Sequence, residues 1–137
     1  MALSDAAAVL SVLDRFRAGW EGLDAEAVLD CFAHDAKVVV IGTDAGEYWR
    51  GFDALVDPFR AMVGAFTEPV YRWIDPPHIH VHGDVAWADA RLDTSLTSDG
   101  QRLAVLMRTS WVLRRRASWE IVQAHFSVAP PSPVAAY

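Results

Sequence analysis

Cysteine is almost absent from this sequence. Cys31 is the single cysteine among 137 residues, so the chain cannot form an intramolecular disulfide. A reducing compartment suits such a chain, and we expect a cytoplasmic protein. Cys31 lies in an apolar helical stretch with no activating base beside it, so we interpret it as a core residue rather than a nucleophile.

Long apolar runs and basic tracts are also scarce. No run approaches the ~18 residues of a membrane-spanning helix, and the N-terminus carries Asp5 instead of a basic region, so we expect neither a membrane span nor a signal peptide. Twelve basic residues face 18 acidic ones, and the formal net charge is −6. The one basic tract, at 114–116, contains no aromatic residues. Nucleic acid is therefore not an expected partner.

Apolar and aromatic residues are abundant by contrast. Hydrophobic residues make up 53% of the chain, which includes six Trp, six Phe and three Tyr. A chain of this length and composition forms one core without metal or disulfide support. We expect a single domain over residues 1–128 and a loose, proline-containing tail over residues 129–137.

Three helices are predicted in the first half of the chain. Apolar residues repeat on one helical face from Val9 to Trp20, which predicts a helix over 4–20 with Ser4 as its cap. Asp24 caps a short second helix that ends near residue 32. A third helix spans about 52–66. Pro58 leaves two possibilities open there, an irregular first turn or a helix that starts at the proline.

The second half of the chain predicts a sheet. Alternating apolar residues and turn signals place strands at 37–41, 47–50, 69–82, 85–97, 101–114 and 119–128. Pro76 and Pro77 break the third strand, and Asp99-Gly100 is a hairpin signal. Strands this long twist and bend, and helices with apolar stripes must cover one face. The sequence thus predicts an α+β fold in which three helices close a curved antiparallel sheet around a cavity.

Three local strings strengthen this interpretation. They are GTDAGEYWRG at 42–51, VHGDVAWADA at 81–90 and SWEIVQAHFS at 118–127. In this order the chain resembles the NTF2-like superfamily, specifically its SnoaL-like branch, from about residue 4 to residue 128. The resemblance implies a cystatin-like cone fold similar to ketosteroid isomerase, a ligand pocket and a back-to-back homodimer. It implies no particular activity, because this fold serves many reactions.

The last strand supplies the first candidate for catalysis. Side chains alternate along a strand, so His125 and Ser127 share a face with the apolar Trp119 and Ile121, which suggests the covered, concave face. His125 is then a candidate acid or base, because histidine titrates near neutral pH, and Ser127 a ligand-binding residue. The alternative is a histidine that only hydrogen-bonds to its neighbours.

The two preceding strands supply charged candidates. Both faces of strand 101–114 are apolar, so its orientation stays open. The similarity to a kinase association domain favours the face of Arg108 as concave, which makes Arg108 a catalytic or anion-binding candidate, with a salt bridge at the rim as its alternative. On strand 85–97, Asp89 shares a face with Arg91 and Asp93. Asp89 is a third catalytic candidate, and a solvated or dimer-facing ladder is its alternative.

Three further residues are ligand-binding candidates. Trp20 ends the apolar stripe of the first helix. The resemblance places the 42–51 hairpin at the cavity opening, where Asp44 and Tyr48 are candidates. Departures from ketosteroid isomerase include Phe16 on the first helix, where that enzyme needs a tyrosine, so its mechanism does not carry over.

No cofactor or metal is expected. The chain has no phosphate-binding loop and no nucleophile elbow. His78, His80 and His82 alternate on one strand, but the outer two lie ~13 Å apart, too far to bind one ion together.

Two functional hypotheses remain open from the sequence. One is an enzyme that transfers protons, or adds or eliminates water, on a small apolar or weakly acidic molecule with His125 as acid or base. The other is a non-catalytic ligand-binding or dimerisation module. An enzyme needs two titratable groups that reach one substrate atom, whereas a binding module needs only a lined pocket.

Overall fold

The computed structural model describes residues 3–129, so the predicted tail lies outside the described residues except for Ala129. The helices are α1 (Asp5–Glu21), α2 (Ala25–Leu29) and α3 (Asp53–Ala65). The strands are β1 (Val39–Ile41), β2 (Tyr48–Arg50), β3 (Thr67–Trp73), β4 (His78–His82), β5 (Val85–Ser98), β6 (Gln101–Arg115) and β7 (Trp119–Val128). Their order along the chain agrees with the prediction.

The first two helices begin at the predicted caps. The Ala7 amide donates to Ser4 Oγ at 3.1 Å, and the Ala27 amide donates to Asp24 Oδ1 at 3.0 Å. Each bond satisfies an amide that has no partner inside its helix. Helix α3 begins before Pro58 and continues through it, without a side-chain cap. The structure therefore rules out a start of α3 at the proline.

The prediction was an antiparallel sheet, whereas the observed sheet is mixed. Its strand order is β2-β1-β7-β6-β5-β3, and β4 also pairs with β5. All pairs are antiparallel except β1 with β7, where Val39 lies beside Gln123 in a parallel register. The difference arises because the short β1–β2 hairpin joins the sheet edge as a unit, and only one of its strands contacts β7.

The turn between the two longest strands has the predicted form. Ser98 pairs with Gln101, so the connection contains only two residues, Asp99 and Gly100. Their φ angles are 50° and 75°. Positive φ at both central residues matches the twist of the flanking strands, which is why Asp-Gly marks such hairpins.

Strand β7 contains a β-bulge that changes which side chains face inward. Leu113 of β6 pairs with Ile121 of β7, whereas the residue before it on β6, Val112, pairs with Gln123. Val122, between Ile121 and Gln123, is therefore an extra residue of β7 with no partner on β6. Side chains alternate along a strand, and one extra residue exchanges the two faces. We call the helix-covered side of the sheet the concave face and the other side the convex face.

The core fills the space between α1 and the concave face. The ring of Phe16 on α1 stacks on Phe126 at 5.7 Å between centroids and meets Trp111 edge-on at 6.3 Å. Cys31 is buried in this core, and burial raises the pKa of its thiol to about 11. This environment agrees with a structural cysteine. Among the described residues, no helix has the length and apolar character needed to cross a membrane.

Candidate functional site

A cavity of about 320 Å³ lies between the concave face, α1, α3 and the β1–β2 hairpin. This volume is at the lower end of the range for small-molecule sites. Most of its lining is apolar: Phe16, Trp20, Val40, Trp49, Phe59, Met62, Phe66, Leu92, Leu96, Leu103, Val105, Met107, Phe126 and Val128. The core remains well filled beside it, so the cavity is an addition to the core and not a failure of packing.

One buried hydroxyl group in the cavity wall lacks a partner. Thr94 on β5 is 2% exposed, and its Oγ1 makes no hydrogen bond within residues 3–129. Thr109 on the neighbouring strand is also buried, but its hydroxyl donates to the Ala90 carbonyl at 2.9 Å. An unpaired buried hydroxyl costs about 1–3 kcal/mol.

Tyr71 on β3 contributes a second polar group to the cavity. Burial raises the pKa of its phenol to about 12, so the side chain is neutral at physiological pH and can donate a hydrogen bond. Its backbone is fixed to α1. The Tyr71 amide donates to Glu21 Oε2 at 2.9 Å, and the Tyr71 carbonyl accepts from Arg17 Nη1 at 3.0 Å.

Arg17 also lines the cavity, but carboxylates already balance its charge. Its Nε lies 2.9 Å from Asp14 Oδ1, and its Nη1 lies 3.5 Å from Glu21 Oε1. The hydrogen bond from Arg17 is the main reason that the pKa of Asp14 lies below its usual value, and a bond from Trp73 Nε1 at 3.2 Å adds to it.

The β1–β2 hairpin places two carboxylates on the cavity. The Asp44 amide donates to Glu47 Oε1 at 3.0 Å, and the Glu47 amide donates to the Asp44 carbonyl at 2.9 Å. Gly42 allows this arrangement, because a Cβ there would lie 2.7 Å from Glu47 Cβ. Neither carboxylate forms a salt bridge with any described residue. Asp44 is exposed and Glu47 is half-buried, so water solvates both carboxylates at the cavity wall.

The predicted ligand-binding residues divide into two groups. Trp20 and Asp44 line the cavity. Tyr48 does not, and its predicted place at the mouth is wrong. Its side chain is 53% exposed on the outer side of β2, where its hydroxyl accepts from Arg50 Nη2 at 3.0 Å. Side chains alternate along β2, so Trp49 lines the cavity instead.

His125 and Ser127 lie on the convex face, and their predicted position inside the cavity is wrong. The prediction assumed regular alternation from Trp119 onwards, but the bulge at Val122 exchanges the faces. Phe126 and Val128 line the cavity, and His125 is exposed.

Arg108 and Asp89 also lie on the convex face. The concave side of β6 carries Val105 and Met107 instead, so the orientation favoured for Arg108 is wrong. Its Nε donates to Ser127 Oγ at 3.2 Å. Asp89 Oδ1 lies 3.3 Å from His78 Nδ1. The structure therefore brings these predicted residues onto one outer surface, in keeping with the alternative of a solvated or dimer-facing ladder.

The alternating histidines of β4 are exposed, and His80 stacks on Trp87 with 5.6 Å between ring centroids. Within residues 3–129, no three His, Cys, Asp or Glu side chains are placed to hold a metal ion.

Sequence reasoning missed four polar cavity residues: Arg17, Thr43, Tyr71 and Thr94. A signal existed for Thr94, because it alternates with Asp93 and must face the opposite side of β5. Glu47 belongs to the possible mouth residues that the place of the hairpin predicts, and it lines the cavity. Arg17 and Tyr71 gave no comparable signal, because their place depends on how α1 crosses β3.

Comparisons with known proteins agree with this architecture. A family model described as a SnoaL-like domain matches residues 9–131. No curated protein matches the chain. An NTF2-like superfamily protein from Salmonella enterica has a TM-score of 0.82 at 20% identity, with 94% of each chain covered. A ketosteroid isomerase-like protein from Erwinia carotovora atroseptica has a TM-score of 0.79 at 16% identity, covering 95% of this chain and 100% of the other.

A third similar structure is an NTF2-like protein with a cystatin-like fold from Novosphingobium aromaticivorans. Its TM-score is 0.73 at 20% identity, with 96% of this chain and 86% of the other covered. At such identities these structures establish the cone-shaped α+β fold and carry no information on activity.

Proposed function

Because this chain belongs to the family of SnoaL-like domains, we propose that it binds a small, mainly apolar molecule in the cavity between α1 and the concave face. The observation that carries the proposal is a cavity of about 320 Å³ with a mainly apolar wall that also holds a few polar side chains, among them Asp44, Glu47 and Tyr71. Ligand sites typically combine such a wall with a few polar groups that fix the orientation of the ligand.

The cavity also limits which residues could act on a bound molecule. Proton transfer requires a titratable group within hydrogen-bonding reach of the substrate. Asp44, Glu47 and Tyr71 lie on the cavity, whereas His125 lies on the opposite face of the sheet. Proton transfer, or addition or elimination of water, would therefore depend on these three groups. We expect His125→Ala to leave both binding and any turnover unchanged.

A fluorescence titration tests the binding proposal. The neutral apolar probe N-phenyl-1-naphthylamine brightens when it leaves water. Val105→Trp narrows the cavity at a position that is 43% exposed, so the fold should tolerate it. We expect this change to weaken probe binding by about tenfold or more, equivalent to about 1.4 kcal/mol.

Leu10→Trp is the matched control, because Leu10 on α1 is 38% exposed and lies neither on the cavity nor on the convex face of the sheet. We expect it to change probe affinity by less than about twofold, a loss of under ~0.5 kcal/mol. Equal affinity in both variants would place the bound probe elsewhere on the protein. Absence of binding to the unmodified chain would contradict the proposal directly.

We also propose that the chain forms a homodimer through its convex face. Large apolar side chains are exposed there: Val85 is 45%, Trp87 49% and Leu106 49% exposed. Val85 and Trp87 lie at one end of this face and Leu106 further along it, opposite Asp93. Exposed apolar side chains of this size on one face are typical of an interaction surface. Light scattering after size exclusion should give twice the chain mass, and Trp87→Asp should give the monomer. A monomer at all concentrations of the unmodified chain would refute this assembly.

A further inference from the structure

We infer that the preferred ligand is an amine, with one ammonium group on an aromatic or alicyclic body. The inference rests on the proposed function of the cavity and specifies the charge of what the cavity binds. Two features support it: the charges on the wall and the aromatic rings beside the hairpin.

The charges favour a cationic ligand. Of the described residues that line the cavity, Arg17 is the one cation, and Asp14 and Glu21 already neutralise it. Asp44 and Glu47 face the cavity without a salt-bridge partner among residues 3–129. A ligand carboxylate would meet these two negative charges and find no unpaired cation. An ammonium group would find two carboxylates.

Aromatic rings lie beside those carboxylates. Trp49 follows Glu47 by two residues, and its ring lies 5.9 Å from that of Phe59. Trp20 on α1 lies 5.3 Å from the same Phe59 ring. All three line the cavity. The faces of indole rings attract cations, most strongly where water is excluded. This cluster can therefore hold both the apolar body and the charged end of an amine.

The hydrogen-bonding groups of the hairpin also suit an amine. An ammonium group has three donors and no acceptor, whereas a carboxylate has only acceptors. Asp44 and Glu47 supply carboxylate acceptors at the cavity and thus match an amine. The inference replaces the sequence-based expectation of a weakly acidic partner.

The test compares three molecules with one shared ring system: naphthalen-2-ylmethanamine, naphthalen-2-ylmethanol and 2-naphthoic acid. Their affinities are measured by calorimetry at pH 7 in 50 mM salt. We expect the amine to bind about tenfold more tightly than the acid, with the alcohol between them, because two partly exposed carboxylates and a cation–π contact each add a modest gain. Raising the salt to 0.5 M should narrow the difference, since salt screens exposed charges.

Substitutions test whether the hairpin carboxylates cause the preference for the amine. Asp44→Asn combined with Glu47→Gln should weaken amine binding by about fivefold and change alcohol binding by less than about twofold, because only the charge is removed. Asp30→Asn, an exposed carboxylate at the end of α2, is the matched control and should change neither.

The outcomes separate the two proposals. Equal affinities for all three molecules, or tightest binding of the acid, would overturn the amine inference and leave the binding cavity in place. An amine preference that survives the double substitution would overturn the role of the hairpin carboxylates. If no molecule binds and N-phenyl-1-naphthylamine does not bind either, both the cavity function and the amine inference fall together.

Discussion

The unpaired Thr94 hydroxyl leads to a stability prediction of unusual sign. Thr94→Val keeps the branched shape of the side chain and removes a buried oxygen that has no partner in the described structure. Leaving a buried hydroxyl unpaired costs about 1–3 kcal/mol. We therefore expect Thr94→Val to raise the free energy of unfolding by about 1 kcal/mol, near the lower limit because solvent relaxation offsets part of the cost.

Thr109→Val is the matched comparison on the adjacent strand. Thr109 is 6% exposed, but its hydroxyl donates to the Ala90 carbonyl at 2.9 Å. Losing an intramolecular hydrogen bond of this kind costs about 1 kcal/mol. The same chemical change should therefore stabilise the protein at one position and destabilise it at the other, with a difference of about 2 kcal/mol between the two variants.

Urea unfolding followed by circular dichroism measures both effects. An unchanged m value would show that the unfolded states are comparable. The melting temperatures should shift by about 3–5 °C in opposite directions. Equal destabilisation by both substitutions would refute the reasoning, because it would show that the Thr94 hydroxyl is paired.

Two further predictions concern helix α1. A Cβ at Gly19 would lie 2.8 Å from a methyl group of Val28, so Gly19→Ala should lower the free energy of unfolding by about 1–3 kcal/mol. A Cβ at Gly64 in α3 would have no atom within 4 Å, so Gly64→Ala should raise the free energy of unfolding by up to ~1 kcal/mol in the same urea assay. Because Arg17 lowers the pKa of Asp14, that carboxylate stabilises the fold above its unfolded pKa of about 4 and loses the effect as pH falls through the lower folded pKa. Asp14→Asn should therefore flatten the decline of the urea midpoint between about pH 4 and pH 2, and an unchanged decline would contradict this assignment.

The order of elements could be predicted because its signals are local. Ser4 and Asp24 cap helices through bonds to amides three residues away, and Asp99-Gly100 closes a turn of two residues. None of these signals depends on distant parts of the chain. The parallel contact of β1 with β7 joins residues more than 80 positions apart. No local pattern predicts such a contact.

Residues of the candidate site could be predicted only where the prediction did not require knowing which face of a strand a side chain is on. Trp20 follows from the periodicity of one helix, and Asp44 from the place of one hairpin. His125 depends on counting along β7, and that count fails at Val122, where neither glycine nor proline marks the bulge. Arg108 fails for another reason. The convex face also carries large apolar side chains such as Leu106, so hydrophobicity does not distinguish the two sides of β6.

The bulge at Val122 determines which side chains of β7 line the cavity, so this one position affects the polarity of the cavity wall. Deletion of Val122 would restore regular alternation along β7, so each side chain from Gln123 to Val128 would point to the opposite face of the sheet. Phe126 and Val128 would move to solvent, and His125 and Ser127 would move inward. An insertion or deletion of one residue at this point of the fold would therefore convert an apolar cavity into one that contains an imidazole and a hydroxyl group, in a single evolutionary step.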